Sequence, residues 1–432
     1  MSLNKLKQIV REKKKTPCYS RRIERLQSWG RDTSLIEDGI ADVVRNLENE
    51  VKSFVVYGEP QSGKTEFMIA LVCKLLDMGK QTIFVVMNDN TELEDQNFDR
   101  FHSALELNPT PVRDHQVIEM EEDVLKTKKQ RVIFCRKNKT NLEKLDHATR
   151  FMEDRVVIDD EADFATPNAR INRADVTAIN LGVAKLGNLG EYGDGTYIGV
   201  TATPARLDLN NTYLNDSTRW VFLESHANYK GRQFFFPTTS SERQLSDYQL
   251  VKLPNEGDDP KFLRHAMYRF MLRVALLNIK PGSEATAYSM LIHTAGKTDD
   301  HRQDKKLVDS VIKVLSDEQQ SKHEAYLEEL LKVSQLIVQQ HRMDYDHIEL
   351  AAFVVENIGK SEILVINHKS QGRNVQRAGR PNALFTFAIG GNIVSRGLTF
   401  ENLLTFFFSR NVKGKLQQNT YIQRARMFGN RP

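Results

Sequence analysis

Gly58-Glu59-Pro60-Gln61-Ser62-Gly63-Lys64-Thr65 is the stretch that decides the fold of this chain. It meets every fixed position of the phosphate-binding pattern G-x-x-x-x-G-K-[ST]. Residues 51–57 before it (VKSFVVY) read as a buried strand, and residues 66–78 after it (EFMIALVCKLLDM) as an amphipathic helix. A strand feeding a glycine-rich loop and then a helix N-terminus aims backbone N–H groups and the positive end of the helix dipole at one point. That point suits a polyphosphate. Lys64 is expected to reach its β- and γ-phosphates and Thr65 to hold Mg²⁺, with Gly58, Gln61, Ser62 and Gly63 as further nucleotide-binding candidates.

Outward from this loop, residues 155–164 read RVVIDDEADF. Three apolar residues form a short strand, and acids follow it directly. Such a strand end beside the phosphate loop supplies one carboxylate for Mg²⁺ and a neighbour that orients or deprotonates the attacking water. Asp160 is the expected metal acid and Glu161 the expected general base. Asp159 is an extra carboxylate that would share or take the metal role. Three adjacent acids repel one another unless a cation sits nearby. Residues 197–205 (YIGVTATPA) are another apolar strand ending in short hydroxyl side chains. These are placed to link the hydrolysis site to whatever the protein moves. Late in the chain, residues 385–398 (FTFAIGGNIVSRGL) and 421–431 (YIQRARMFGNR) continue the series. Arg426 and Arg431 carry planar, permanently charged groups, and the segment resembles the Arg-rich motif VI of superfamily 2, which implies that such a group stabilises charge on the γ-phosphate.

In this order the segments resemble motifs I, II, III, V and VI of superfamily 2 helicases and translocases. The wording narrows the resemblance. NTELEDQNFDRF at 90–101, IFCRKNKTNL at 133–142, IDDEAD, YIGVTATP, YKGRQFF at 229–235, SMLIHT at 289–294, IVSRGLTFENL at 393–403 and QRARMFGNRP at 423–432 look like the Z-one family, a group often labelled endonuclease. The resemblance covers roughly residues 50–432. It implies two RecA-like parallel-sheet α/β domains in tandem, with ATP and Mg²⁺ bound between them. It implies an ATP-driven subunit acting on DNA, duplex DNA first, in a restriction or defence system and alongside a separate nuclease. By motif position it makes Gly397 a further nucleotide contact, and Thr91, Arg136, Lys137, Thr201, Thr203 and Thr399 contacts to a nucleic-acid backbone. The last motif departs from the family's usual GRWFGYR. Met427 and Asn430 stand where aromatic residues would wall the site, which bears on packing around the arginines. The chain stops directly after this motif, so a portion of a longer protein is expected.

The expected organisation is a basic helical segment over 1–50, a first RecA-like domain over 51–238, a linker over 239–260, and a second domain over 261–432. That second domain carries a charged helical insertion at 303–342, read as lying outside the core. The glycine-rich stretch 186–196 reads as a mobile loop. Gln27 or Trp29 is a candidate for adenine recognition, and His293 reads as a structural histidine. With 432 residues, 40% hydrophobic content and a net charge of +4, the chain is an ordinary globular protein, mildly basic. That charge permits nucleic-acid binding without requiring it. Three cysteines (Cys18, Cys73, Cys135) lie far apart without metal-site spacing, which fits a reducing cytoplasm. No apolar run reaches the ~18 residues of a membrane span.

Three other functions compete with a DNA motor. An ATP-gated clamp or scaffold that recruits a nuclease would use the same pocket. Nuclease action by this chain itself would need a metal cluster of acids or histidines, and the sequence offers none apart from the nucleotide site. An RNA helicase is the remaining option, although the wording of these motifs is not that of a common DEAD-box RNA helicase.

Overall fold

The computed structural model describes residues 16–89, 91–105, 109–163, 166, 177–203, 212–231, 251, 253, 259–279, 285–293, 298–341, 345–366, 372–390, 402–408 and 429–430. The chain divides into two compact units, Met1–Tyr229 with Gly429–Pro432, and Lys230–Phe428. Each has its own parallel sheet, as the alternation of apolar strands and helices in the sequence implies.

In the first unit the strands are β1 (Ser53–Gly58), β2 (Thr82–Met87), β3 (Val112–Arg113), β4 (Arg131–Arg136), β5 (Arg155–Asp160), β6 (Thr196–Thr201) and β7 (Val221–Leu223). They form one sheet in the order β3-β4-β2-β5-β6-β1-β7, every pairing parallel. Because β6 and β5 lie between β1 and β2, strand order reverses beside β1, and such a reversal opens a crevice at the carboxyl ends of the strands. Alternate residues of the central strands face opposite layers. Ile83, Val85, Val156 and Ile158 pack with the helices Ser34–Glu48 and Lys64–Asp77, while Phe84, Val86, Val157 and Tyr197 pack with the helices Lys139–Ala148 and Ala178–Leu186. Burial on both faces explains why these strands read as continuous apolar runs.

The helix Lys64–Asp77 is the most enclosed, with its residues from Glu66 to Cys73 all buried. All three cysteines are buried and free. The stretch expected as a mobile loop is a built turn instead. Gly195 N donates to Asn188 O at 2.8 Å, and Leu189 is buried. A Cβ on Gly195 would sit 1.8 Å from Gly187 O, so this approach requires glycine. Tyr229 opens β8 (Tyr229–Lys230).

The second unit is a four-stranded parallel sheet of β9 (Tyr288–His293), β10 (Ser361–Ile366), β11 (Phe385–Gly390) and β12 (Leu403–Phe408), in the order β10-β11-β9-β12. β13 (Gly429–Asn430) pairs with β8. The helix Pro260–Asn278 begins where its sequence dictates: Asp259 accepts from Lys261 N, and Pro260 fills the first helical position, where no N–H is needed. Its apolar face (Met267, Phe270, Met271, Val274) packs against Phe385, Phe387 and Ile389. The helices Thr298–Ser316 and His323–His341, expected to lie outside the core, belong to it. Val308, Val311 and Leu315 of the first, and Leu330 and Ile337 of the second, are buried in the same cluster. Their high charge occupies the opposite face, which is what made the stretch read as an excursion. Among the described residues no helix is long and apolar enough to cross a membrane.

Candidate functional site

Sheet register brings the carboxyl ends of three neighbouring strands together. Tyr57 of β1 pairs with Thr201 of β6, and Asp160 of β5 pairs with Val200. Gly58, Asp160 and Thr201 therefore finish their strands at one edge. The loop after β1 closes on Gly63, whose φ of 97° is open to glycine and strained for other residues. Gln61 also has positive φ, at 60°. Tyr229 donates its hydroxyl to Pro60 O at 2.6 Å and braces the crown of this loop.

Lys64 Nζ donates to Gly58 O at 3.0 Å and to Glu59 O at 2.7 Å. Desolvation pulls its ammonium down to about 8, against Asp160, Glu161, Glu59 and Asp163, which favour the charged form. Across the sheet edge, burial pushes Asp160 up to about 7; Glu161 adds to the rise, while Lys137 and Lys64 oppose it. A desolvated Asp160 with a second carboxylate beside it asks for a cation. The Ser62 hydroxyl inside the loop is buried with no protein partner, as a phosphate cradle would require. Among the described residues no group of three His, Cys, Asp or Glu side chains is placed to hold a metal alone. Mg²⁺ takes one or two protein oxygens together with substrate phosphates and waters, and a hydroxyl and a carboxylate at this sheet edge are oxygens of that kind. Thr65 and Asp160 are the residues that would supply them.

Glu161 sits in the left-handed region at φ 48°, a conformation that costs a non-glycine residue roughly 1–3 kcal/mol and recurs at functional sites. Asn88, at the end of β2, donates its side-chain amide to Glu161 Oε2. Asp163 is buried and accepts from both threonines of the TATP segment: Thr201 Oγ1 at 2.6 Å and Thr203 Oγ1 at 2.6 Å. Thr203 N in turn donates to Thr201 Oγ1 at 2.9 Å. These two threonines were expected on a nucleic-acid backbone. They are buried, and they join the acidic turn to the end of β6.

Two further expectations change on the same ground. Lys137 was expected on a nucleic-acid backbone, yet its side chain is only 1% exposed and its Nζ lies 2.8 Å from Asp159 Oδ1. Asp159 was expected to share the metal. It is wholly buried, ion-paired with Lys137, and accepts from Tyr197 Oη at 2.8 Å. Successive strand residues point to opposite faces, so Asp159 and Asp160 cannot serve one ligand from the same side. Arg136 is partly exposed and lies against acids, its Nε 3.1 Å from Glu94 Oε2 and Nη1 3.5 Å from Asp89 Oδ1. The side chain of Thr91, together with Gly397, Thr399, Arg426 and Arg431, lies outside the described residues.

Upstream of the loop, Gln27 donates to Thr33 Oγ1 at 3.0 Å, and Trp29 is 53% exposed with the guanidiniums of Arg22, Arg25 and Arg31 4.9–5.8 Å from its ring centre. Arg22 is buried and donates through Nε to Glu66 Oε1 at 2.8 Å, tying the helix Cys18–Ser28 to the first turn of the helix after the loop. Sequence reasoning missed Asn88, Tyr197, Tyr229 and Arg22. Asn88 carried a usable signal, since it is the first polar side chain beyond an apolar strand of a parallel sheet. The other three are recognisable only through partners distant in sequence.

Residues 37–230 match the SWI2/SNF2 ATPase model, and residues 262–432 match the Z1 domain model. No curated protein matches the chain. Among solved structures, S. cerevisiae Dbp5 bound to RNA and ADP BeF3 superposes with a TM-score of 0.51 at 12% identity, over 95% of this chain and 84% of that one. The E. coli DExH-box NTPase HrpB gives 0.48 at 13% identity, over 90% of this chain and 39% of that one. The Mycobacterium smegmatis helicase Lhr bound to ssDNA and AMP-PNP gives 0.46 at 10% identity, over 96% and 47%. At such identities the likeness is one of fold, and the Dbp5 match carries it.

Proposed function

We propose that this chain, a superfamily 2 helicase-like ATPase carrying a Z1 domain, hydrolyses ATP to drive movement on, or remodelling of, duplex DNA. It would do so in the cytoplasm as one subunit of a restriction or defence system, with cleavage left to a separate nuclease. One observation supports this reading above the rest. The lysine of the phosphate loop, a desolvated Asp160 and a strained Glu161 meet at one sheet edge, and Asp163 ties that edge to Thr201 and Thr203.

In this reading Lys64 leaves the carbonyls of Gly58 and Glu59 for the β- and γ-phosphate oxygens. The backbone N–H groups from Gln61 to Thr65 surround the β-phosphate at the helix N-terminus. Mg²⁺ would be held by Thr65 and Asp160, where it would offset phosphate charge. Glu161 orients the attacking water and takes its proton on a carboxylate oxygen, with Asn88 fixing the rotamer. Arg426 and Arg431 stabilise charge on the departing γ-phosphate, and Gly397 lies against the nucleotide. Loss of the γ-phosphate is felt through Asp163 by the end of β6. Thr91, Arg136 and Thr399 remain the proposed DNA-backbone contacts.

The test is the ATPase rate without polymer and with single-stranded DNA, duplex DNA and RNA. Duplex DNA should stimulate most. Because the Dbp5 structure holds RNA, the RNA arm is a real competitor, and preferential stimulation by RNA would replace DNA as the substrate. A triplex-displacement assay then separates a motor, which displaces the third strand, from an ATP-gated clamp, which does not.

A further inference from the structure

We infer that Lys137 is a positioning residue for hydrolysis: its buried ammonium holds the turn that aims Glu161, in addition to pairing with Asp159. The inference rests on the reading of Glu161 as the general base.

Lys137 directly follows β4, and its own N–H donates to Met87 O at 2.8 Å. Strand order places β2 between β4 and β5, so the lysine stem must cross the end of a whole strand to reach the acidic turn. It does so almost without contact with solvent. Its Nζ donates to Asp160 O at 2.9 Å and to Glu161 O at 2.8 Å, and lies 2.8 Å from Asp159 Oδ1. Two hydrogen bonds and one close ion pair thus converge on a single ammonium, which brings three protons and no acceptor. Two of the three oxygens belong to main-chain carbonyls of the residues on which the chemistry depends.

Pairing alone would not call for this arrangement. An ion pair with Asp159 needs only the carboxylate, and Tyr197 already donates to its other oxygen. The carbonyl bonds fall on either side of the Cα of Glu161, the residue with φ at 48°. Left-handed backbone at a residue with a side chain persists only when its surroundings over-determine it. Here Lys137 holds the carbonyls, Ala162 N donates to Val200 O at 3.1 Å, and Asn88 holds the carboxylate. Glu161 N also donates to Asp160 Oδ1 at 3.0 Å within the turn; Lys137 reaches the turn from another strand and brings a charge, and charge-assisted hydrogen bonds are about twice as strong as neutral ones.

The test compares Lys137→Met, Asp159→Asn, the double variant and Glu161→Gln with the parent chain. It measures melting temperature, fluorescent ADP affinity, KM for ATP and kcat. Lys137→Met strands a buried carboxylate and should melt early. The double variant removes both charges and should recover most of the lost melting temperature. Its kcat should stay at least about 10-fold down, with ADP affinity and KM within about 3-fold of the parent. Asp159→Asn alone keeps both carbonyl bonds and should lose far less kcat than the double variant. Recovery of kcat together with melting temperature in the double variant would overturn the inference, because Lys137 would then be a charge partner and nothing more. Loss of ADP binding alongside kcat would overturn it too, because Lys137 would then support the lobe rather than the turn. Parental turnover by Glu161→Gln removes the premise itself, and that result is read in a separate variant.

Discussion

At the scale of single residues, Lys64 and Asp160 shape each other. The lysine is drawn down toward neutrality and the acid is pushed up to about 7, so neither charge is comfortable without a ligand. Removing the lysine takes away a phosphate contact that strengthens as charge develops. Lys64→Ala should lower kcat by about 10²–10³-fold while leaving the circular dichroism spectrum unchanged. Asp160 makes a separate prediction in the nucleotide-free protein. Its folded value lies above its ordinary 3.8, so the unfolded chain gives up this proton first as pH rises. Ionising Asp160 therefore costs stability progressively between about pH 4 and pH 7, and the cost is complete above that range. Asp160→Asn should raise the melting temperature at pH 8 and have much less effect at pH 4. An equal rise at both pH values would show that packing, not charge, was responsible. The phosphate loop, Asp160 and Glu161 were legible in the sequence because strand, loop and helix follow one another within a few residues. Lys137 and Asp159 were misjudged because motif position says which strand end a residue occupies but not which face its side chain takes.

At the scale of elements, the segment before the phosphate loop is tied to it by charge. Arg22 and Glu66 are both buried, and Arg22 is bonded through Nε at 2.8 Å. The start of the helix Cys18–Ser28 is also capped from outside, since Cys18 N and Tyr19 N donate to the Asp77 carboxylate at 2.7 and 2.8 Å. One end of the loop helix thus holds Arg22 and the other holds the helix N-terminus. Arg22→Ala leaves Glu66 buried without its main partner and should cost about 3–5 kcal/mol in a denaturant titration; replacing both residues by Met should cost much less. Equal losses in the two variants would mean that the pair matters through packing alone. Strands were the most legible elements because burial on both faces writes each one as an unbroken apolar run. β3 and β7 escaped notice, being two and three residues long. The charged helices of the second unit were misplaced because their surface composition outweighed the apolar stripe that the core uses.

At the scale of the whole molecule, the sequence yields two parallel-sheet units because the hydrophobic periodicity repeats on both sides of a polar stretch. Lys64, Thr65, Asp160 and Glu161 all belong to the first unit. Composition says less about the polymer: a net charge of +4 spread over 432 residues is a weak attractant. If DNA is the activator, its binding must come from local clusters of arginine and lysine on phosphates, and such binding releases counterions. Each phosphate neutralised contributes nearly one unit to the slope of log affinity against log salt. The DNA concentration giving half-maximal stimulation should therefore rise by about 10-fold or more between 50 and 200 mM NaCl. The rate without DNA should change little over the same range, because Lys64 and Asp160 are partly buried and their charges are screened less by salt than exposed ones. A half-maximal concentration indifferent to salt would exclude phosphate-backbone binding as the source of stimulation. A salt effect of equal size without DNA would place the sensitivity in the nucleotide site.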